Sequence, residues 1–353
     1  MSMKRLDYFD TVKGIGIFLV VVTHSSFVAD YVVTLLLSFI MPLFFIVSGM
    51  LIAYRDEASL SFKAMLRKKT KSIIIPYLCF SVCYTLIDII SVYLKQISLR
   101  DLKINLICTG SFAGSGPLWF LPALFLCELL FVTLLKHFGE KQALIICMVI
   151  SIAGFILWYL FEPAYTASKD DLTSYFLLSY VFTILRSMVC LIFLTISYIL
   201  FKLTAGFSKG IIFKNRILLP VFGIVIFAIC AFLCRFNTNV DIHNMDYGNI
   251  ALFLVNAFAA SLGLILICRS LPSLKVLGIV RYWGKNSLLI MATHLNFYIL
   301  YLGNVVAYKI NPYVTHAKEY VLLFNILLVT MVTETALIYI VNRYIPWLVG
   351  KSK

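Results

Sequence analysis

Charge is what this 353-residue sequence has least of: Asp, Glu, Lys and Arg make up 13% of it, against 62% for the hydrophobic residues. A soluble domain carries about 25% charged residues and about 45–50% apolar ones. The shortage excludes a water-soluble globule, a disordered chain and a coiled coil, whose surfaces need far more charge. Acidic residues are scarcest, 16 against 30 Lys and Arg, for a net charge of +14. In a polar protein that balance would suggest a nucleic-acid binder. In a chain this apolar it reads as the Lys/Arg excess on the inner side of a bacterial-type membrane protein, with no nucleic-acid partner. The nine cysteines include no CxxC pair, and all but Cys108 sit in or beside apolar runs. Neither a disulfide framework nor a metal site is expected from them. GxSxG, HExxH, Walker A and dinucleotide-binding fingerprints are also missing, so a nucleotide-driven pump or a zinc protease has no support.

What is there in quantity is apolar helix. Each crossing of a hydrocarbon layer about 30 Å thick takes about 20 apolar residues, so an all-α, polytopic membrane protein of about ten transmembrane helices is expected. The segments run over 11–29, 32–54, 73–94, 117–135, 142–161, 175–201, 217–235, 250–270, 286–307 and 320–342. The basic start and the apolar run over 14–28 imitate a signal peptide. No pair of small residues marks a cleavage point, so the run is read as a retained first helix. An even count puts both termini on one side. The segments of that side hold 22 Lys and Arg and the opposite loops 7, with Arg186 inside a helix. Both termini are therefore expected in the cytoplasm. The stretch 58–71 alternates apolar and basic residues as a short amphipathic helix on the inner membrane surface does. No repeat, linker or low-complexity tract appears, and residues 1–353 read as a single membrane domain.

Ionisable groups within such helices each need a partner, a water-filled cavity or a function. At 100° per residue, Asp10, Lys13 and His24 fall on one face of the first helix, with about 16 Å along the axis between Lys13 and His24. A ligand with an anionic end and a reactive end would span that stripe. Imidazole suits a general base, because it changes protonation near neutral pH. The competing reading is a histidine hydrogen-bonded to a neighbouring carbonyl. His294 lies two turns beyond Ser287, with Asn286 opening the segment. A polar cavity and a simple helix cap both fit Asn286 and Ser287. Glu128, Arg186 and Glu334 are the other charges inside helices. Pairing of either glutamate with Arg186 or a histidine is electrostatically sensible, and a purely structural role is equally so. Pro42 within the second segment and Gly116-Pro117 before the fourth mark either cavity-lining breaks or plain kinks.

In chain order, these pieces resemble the membrane-bound acyltransferase 3 family, in particular its fucose 4-O-acetylase-like branch. The matching residues are Arg5-x4-Asp10-x2-Lys13-Gly14, then Val20-Val21-Val22-Thr23-His24. Next come Met41-Pro42-Leu43-Phe44-Phe45-x2-Ser48-Gly49, Ile75-Pro76-Tyr77 and Leu118-Trp119-Phe120-Leu121. Trp283-Gly284-Lys285-Asn286-Ser287-Leu288 follows, with His294 downstream. The resemblance implies transfer of an acyl group, usually acetyl, from cytoplasmic acetyl-CoA to a hydroxyl of a carbohydrate or lipid-linked glycan, in the bacterial inner membrane. It implies His24 as the essential histidine, and Lys13 and Arg5 at the CoA phosphates or the pantetheine entrance. Lys13 stands where many members have arginine, and lysine offers a point charge instead of a planar fork. Trp119 would shape the acceptor side, with Asn286, Ser287 and His294 as polar contacts in the cavity. The 67–71 basic cluster fits either the 3′-phosphate-ADP end of CoA or ordinary inner-surface anchoring. The alternative from the same buried charges is a transporter or flippase for a glycan or acyl group. Such proteins commonly show repeated halves, which this sequence lacks.

Overall fold

The computed structural model describes residues 6–207, 218–238, 240–271, 275–310 and 319–351. Among them the secondary structure is helical, with one isolated bridge between Asp241 and Asp246 and no strand. The helices are α1 (Asp7–Thr23), α2 (Asp30–Arg55), α3 (Phe62–Lys69), α4 (Ile75–Tyr93), α5 (Leu99–Gly110), α6 (Phe120–Ala167) and α7 (Leu172–Phe207). After them come α8 (Leu218–Leu233), α9 (Ile250–Ser270), α10 (Gly278–Lys285), α11 (Ser287–Thr293), α12 (Ile299–Ile310) and α13 (Glu319–Tyr344). The chain divides into two compact units, Met1–Val47 with Ile199–Ile340, and Ser48–Tyr198 with Val341–Lys353.

Seven of the described helical spans are long and apolar enough to cross a membrane. The expected count of ten is not established by that criterion, and three local departures account for the difference. The first segment stops at Thr23, so α1 has 17 residues, about 25 Å of helix. The segment expected over 286–307 is broken: α11 ends at Thr293, residues 294–298 form a turn with Tyr298 at φ 58°, and α12 begins at Ile299. The segments expected over 117–135 and 142–161 run on as α6, whose helix is interrupted at Gly139 (φ 73°). Its span of 55 residues from Gly116 to Asp170 is long enough for two crossings.

The outward faces explain the composition. Leu78, Val82, Leu86 and Ile90 form an exposed row on α4, and Phe324, Leu328 and Val332 form another on α13. Rows of exposed apolar side chains at i, i+4 spacing would aggregate in water and suit lipid. In the first unit, close backbone packing replaces a hydrophobic driving force that lipid does not supply. A Cβ at Gly284 would collide with the Asp10 carbonyl, and one at Gly14 with the Val280 carbonyl. Glycine at both positions therefore lets α1 and α10 touch backbone to backbone. Within α2, Pro42 supplies no amide hydrogen for the preceding turn, and the nearby Phe39 carbonyl accepts from the Ser261 hydroxyl at 3.5 Å.

The amphipathic stretch does not stand alone. Ser61 caps α3, accepting from the Ala64 amide. After Lys69 a π-helical turn, Thr70–Ile74, leads directly into α4. Part of the loop expected between the third and fourth segments is also helical, because α5 has a complete capping box between Ser98 and Asp101. Cys108 accordingly lies on a helix, half-buried, with its thiol 3.6 Å from the Tyr175 hydroxyl.

Candidate active site

In the first unit, the break after α11 brings together two histidines 270 positions apart. His24 closes α1 as its C-cap and is exposed. His294 closes α11 with none of its surface accessible. The ring centroids are 5.2 Å apart and the planes meet edge to face at 66°. Both rings are anchored in the same way. His24 Nδ1 is 2.8 Å from the Val20 carbonyl, with the Thr23 hydroxyl at 3.3 Å. His294 Nδ1 is 2.9 Å from the Ile290 carbonyl and 3.0 Å from that of Met291. A carbonyl only accepts, so each Nδ1 carries the hydrogen and each neutral ring leaves a lone pair at Nε2.

Around this pair, Thr293 binds Glu334 on α13, its hydroxyl 2.8 and 3.0 Å from the two carboxyl oxygens, and both residues are buried. Trp283 Nε1 donates to Thr335 at 2.9 Å, and its ring stacks on Phe18 of α1. The Asn286 amide donates back to the Tyr282 carbonyl at 2.8 Å, and its side chain does not cap α11. Ser287 opens α11 half-buried. Towards the other end of α1, Lys13 Nζ lies 3.3 Å from the buried Asp10 carboxylate, so the predicted stripe carries its own ion pair. Arg5 lies outside the described residues.

Glu128, Trp119 and Arg186 belong to the second unit. Glu128 takes Lys69 as its partner at 2.8 Å and accepts a short hydrogen bond from Ser48. Lys69 also reaches Glu57 at 2.7 Å, and Lys68 joins at 2.5 Å. Glu128 thus takes a lysine from the 58–71 stretch as its ion-pair partner. Lys69 comes from the segment expected on the membrane surface, where helical spacing sets it on the face of Phe62, Met65 and Leu66 and apart from Arg67, Lys68 and Lys71. Burial alone would raise the Glu57 carboxyl, but the Lys69 and Lys68 ammonium groups hold it below its ordinary value. Arg186 is fully buried. Its guanidinium lies 4.7 Å over the Trp119 ring and 4.8 Å over Phe182, and donates to the Ala113 carbonyl at 2.7 Å. Gly114, at φ 80°, lets the loop close on the Trp119 backbone. One face of Trp119 is thus occupied by Arg186. Elsewhere in this unit Lys68, Lys71, Ser72, Gly350 and Lys351 line an open cavity of about 500 Å³.

Among the described residues no three His, Cys, Asp or Glu side chains converge as a metal site would require. The first unit offers imidazole lone pairs and a buried carboxyl, and the second, taken by itself, offers lysine-lined space. A family model described as "Acyltransferase domain" matches residues 6–342. No curated protein and no solved structure matches the chain.

Proposed function

The chain belongs to that acyltransferase 3 family, and on this premise we propose that it moves an acetyl group from cytoplasmic acetyl-CoA to a hydroxyl of a cell-surface glycan or its lipid-linked precursor. The proposed setting is the bacterial inner membrane, with both termini cytoplasmic and one catalytic domain. The observation that carries the reading is the state of His24: Nδ1–H is held by the Val20 carbonyl, the ring is exposed, and Nε2 is the basic atom. A ring fixed in one tautomer at an accessible helix end is what a general base needs.

In the proposed step, His24 Nε2 takes the proton of the acceptor hydroxyl as its oxygen attacks the thioester carbonyl carbon. The new C–O ester bond forms, the C–S bond breaks, and the departing CoA thiolate recovers the proton from His24. Lys13 and Arg5 would hold the donor's phosphates, with Asp10 keeping the Lys13 ammonium on the stripe. Asn286 and Ser287, at the end of α11 opposite His294, would contact substrate. Glu128 and Arg186 would support the donor or acceptor site through their own units of packing. Trp119 would do so through the ring edge and the face opposite Arg186.

The test is thiol release from acetyl-CoA by purified protein in nanodiscs, with and without candidate sugars. Wild type consumes acetyl-CoA and His24→Ala, folded to the same extent, does not. A wild type that neither binds nor consumes acyl-CoA removes the enzyme reading and leaves the transporter one.

A further inference from the structure

His294 holds a buried nitrogen with nothing to do in the resting protein. Its Nδ1–H is committed to two carbonyls, while its Nε2 is inaccessible and meets no hydrogen-bond partner. Burying an acceptor without a donor is unfavourable, so the position calls for a donor that arrives during function. The titratable group facing His294 is His24. Glu334 on α13 reaches the adjacent Thr293, and Asp10 and Lys13 lie towards the opposite end of α1. Two imidazoles joined by an N–H···N bond have centroids about 5 Å apart, from a bond of about 2.9 Å plus two ring radii. The observed separation is 5.2 Å.

Neutral His24 presents only a lone pair at Nε2, and two lone pairs do not bond. Once Nε2 has taken a proton it becomes a charged donor, which forms the stronger class of hydrogen bond. We propose that His294 is the positioning residue for the base: its Nε2 receives the new N–H of His24 and holds the proton on the pair between hydroxyl and thiolate. The proposal rests on His24 acting as the base. The balance is unchanged by it: the proton leaves the acceptor hydroxyl, resides on His24 in a hydrogen bond to His294, and departs on the thiol of CoA.

Two measurements test it. In the first, the pH–rate profile of acetyl-CoA turnover is compared for wild type, His294→Gln and His294→Leu. Loss of the acceptor in His294→Leu moves the acid limb to lower pH and lowers kcat about tenfold or more, whereas His294→Gln, whose amide oxygen still accepts, recovers part of both. Equal losses in the two variants with an unmoved limb mean packing alone and overturn the proposal. So does a His294→Leu protein that behaves as wild type. The second needs no turnover: ring-¹⁵N spectra of histidine-labelled protein are followed during acidification. The His294 Nε2 signal moves together with that of His24 in wild type and loses this response in His24→Phe. The same response in both proteins refutes the pairing. Joint movement in a wild type that does not consume acetyl-CoA upholds the pairing and refutes acyl transfer.

Discussion

The Lys69 ammonium and the Glu128 carboxylate lie 2.8 Å apart, with neither side chain more than 8% exposed. Removing one member of a buried pair leaves the other charge without compensation, at a cost of about 3–5 kcal/mol. Lys69→Met is therefore expected to lower the thermal unfolding midpoint strongly, while Lys63→Met, at an exposed position of the same helix, leaves it nearly unchanged. Adding Glu128→Met to Lys69→Met recovers part of the loss. Equal midpoints for the Lys63 and Lys69 variants in a thermal-shift assay would sink this expectation.

Acid should act on the same cluster through Glu57. Its carboxyl sits below its ordinary value, because the Lys69 and Lys68 charges outweigh its burial. A depressed carboxyl contributes fully above its unfolded pKa of about 4.3, and the contribution is lost as pH falls through the lower folded value. Wild type should lose thermal stability steeply below about pH 4. Glu57→Gln, already weakened at neutral pH, should lose less over the same range. Parallel curves for the two proteins would contradict the linkage.

The contact of α1 with α10 tolerates no side chain at Gly284, where a Cβ meets the Asp10 carbonyl. Gly284→Val must separate the helices and displace His24 from its setting. Displacements of about 1 Å at a reacting group cost about 100-fold in rate, so turnover should fall by about that factor. Gly278→Ala, with nothing near the added methyl, serves as the silent control. Full activity of Gly284→Val would show that this contact does not position the histidine.

Thr293 is the hydrogen-bond partner of the buried Glu334 carboxyl. Thr293→Val keeps the shape and removes the hydroxyl, so an unsatisfied buried group should cost about 1–3 kcal/mol. Thr293→Ser, which keeps the hydroxyl, should cost less. Combining Thr293→Val with Glu334→Leu removes both polar partners and should recover stability. Denaturation in detergent micelles reads all three, and additive losses in the double variant would argue against the pairing.

The legible and illegible parts of the site differ in kind. His24 and His294 stand out in the sequence because few ionisable groups enter apolar segments, and each such group needs a reason to be there. Their contact was not legible. It depends on the helix breaking at 294–298, where His294, Leu295, Asn296, Phe297 and Tyr298 include neither glycine nor proline. The local pattern argued for one continuous helix, and tertiary packing overrode it. The reverse happened at 136–141, whose polar residues and Gly139 suggested a loop while helix resumes on both sides of a single non-helical residue. Lys69 was overlooked for another reason: the run Arg67, Lys68, Lys69 and Lys71 reads by composition as one basic patch, although helical spacing sets Lys69 alone among them with Phe62, Met65 and Leu66.

By itself the sequence determined the solvent of this protein, its helical class and a short set of polar residues that needed explaining. Those properties are local or additive: apolar length is counted along the chain, and a missing charge is missing in any fold. Only the tertiary structure decided the partners, placing His24 beside His294, Lys69 between Glu57 and Glu128, and Arg186 on Trp119. Each of these contacts joins residues distant in sequence. Which of them forms is set by helix breaks and glycine-lined crossings that put particular faces in contact, and no periodicity along the chain encodes that.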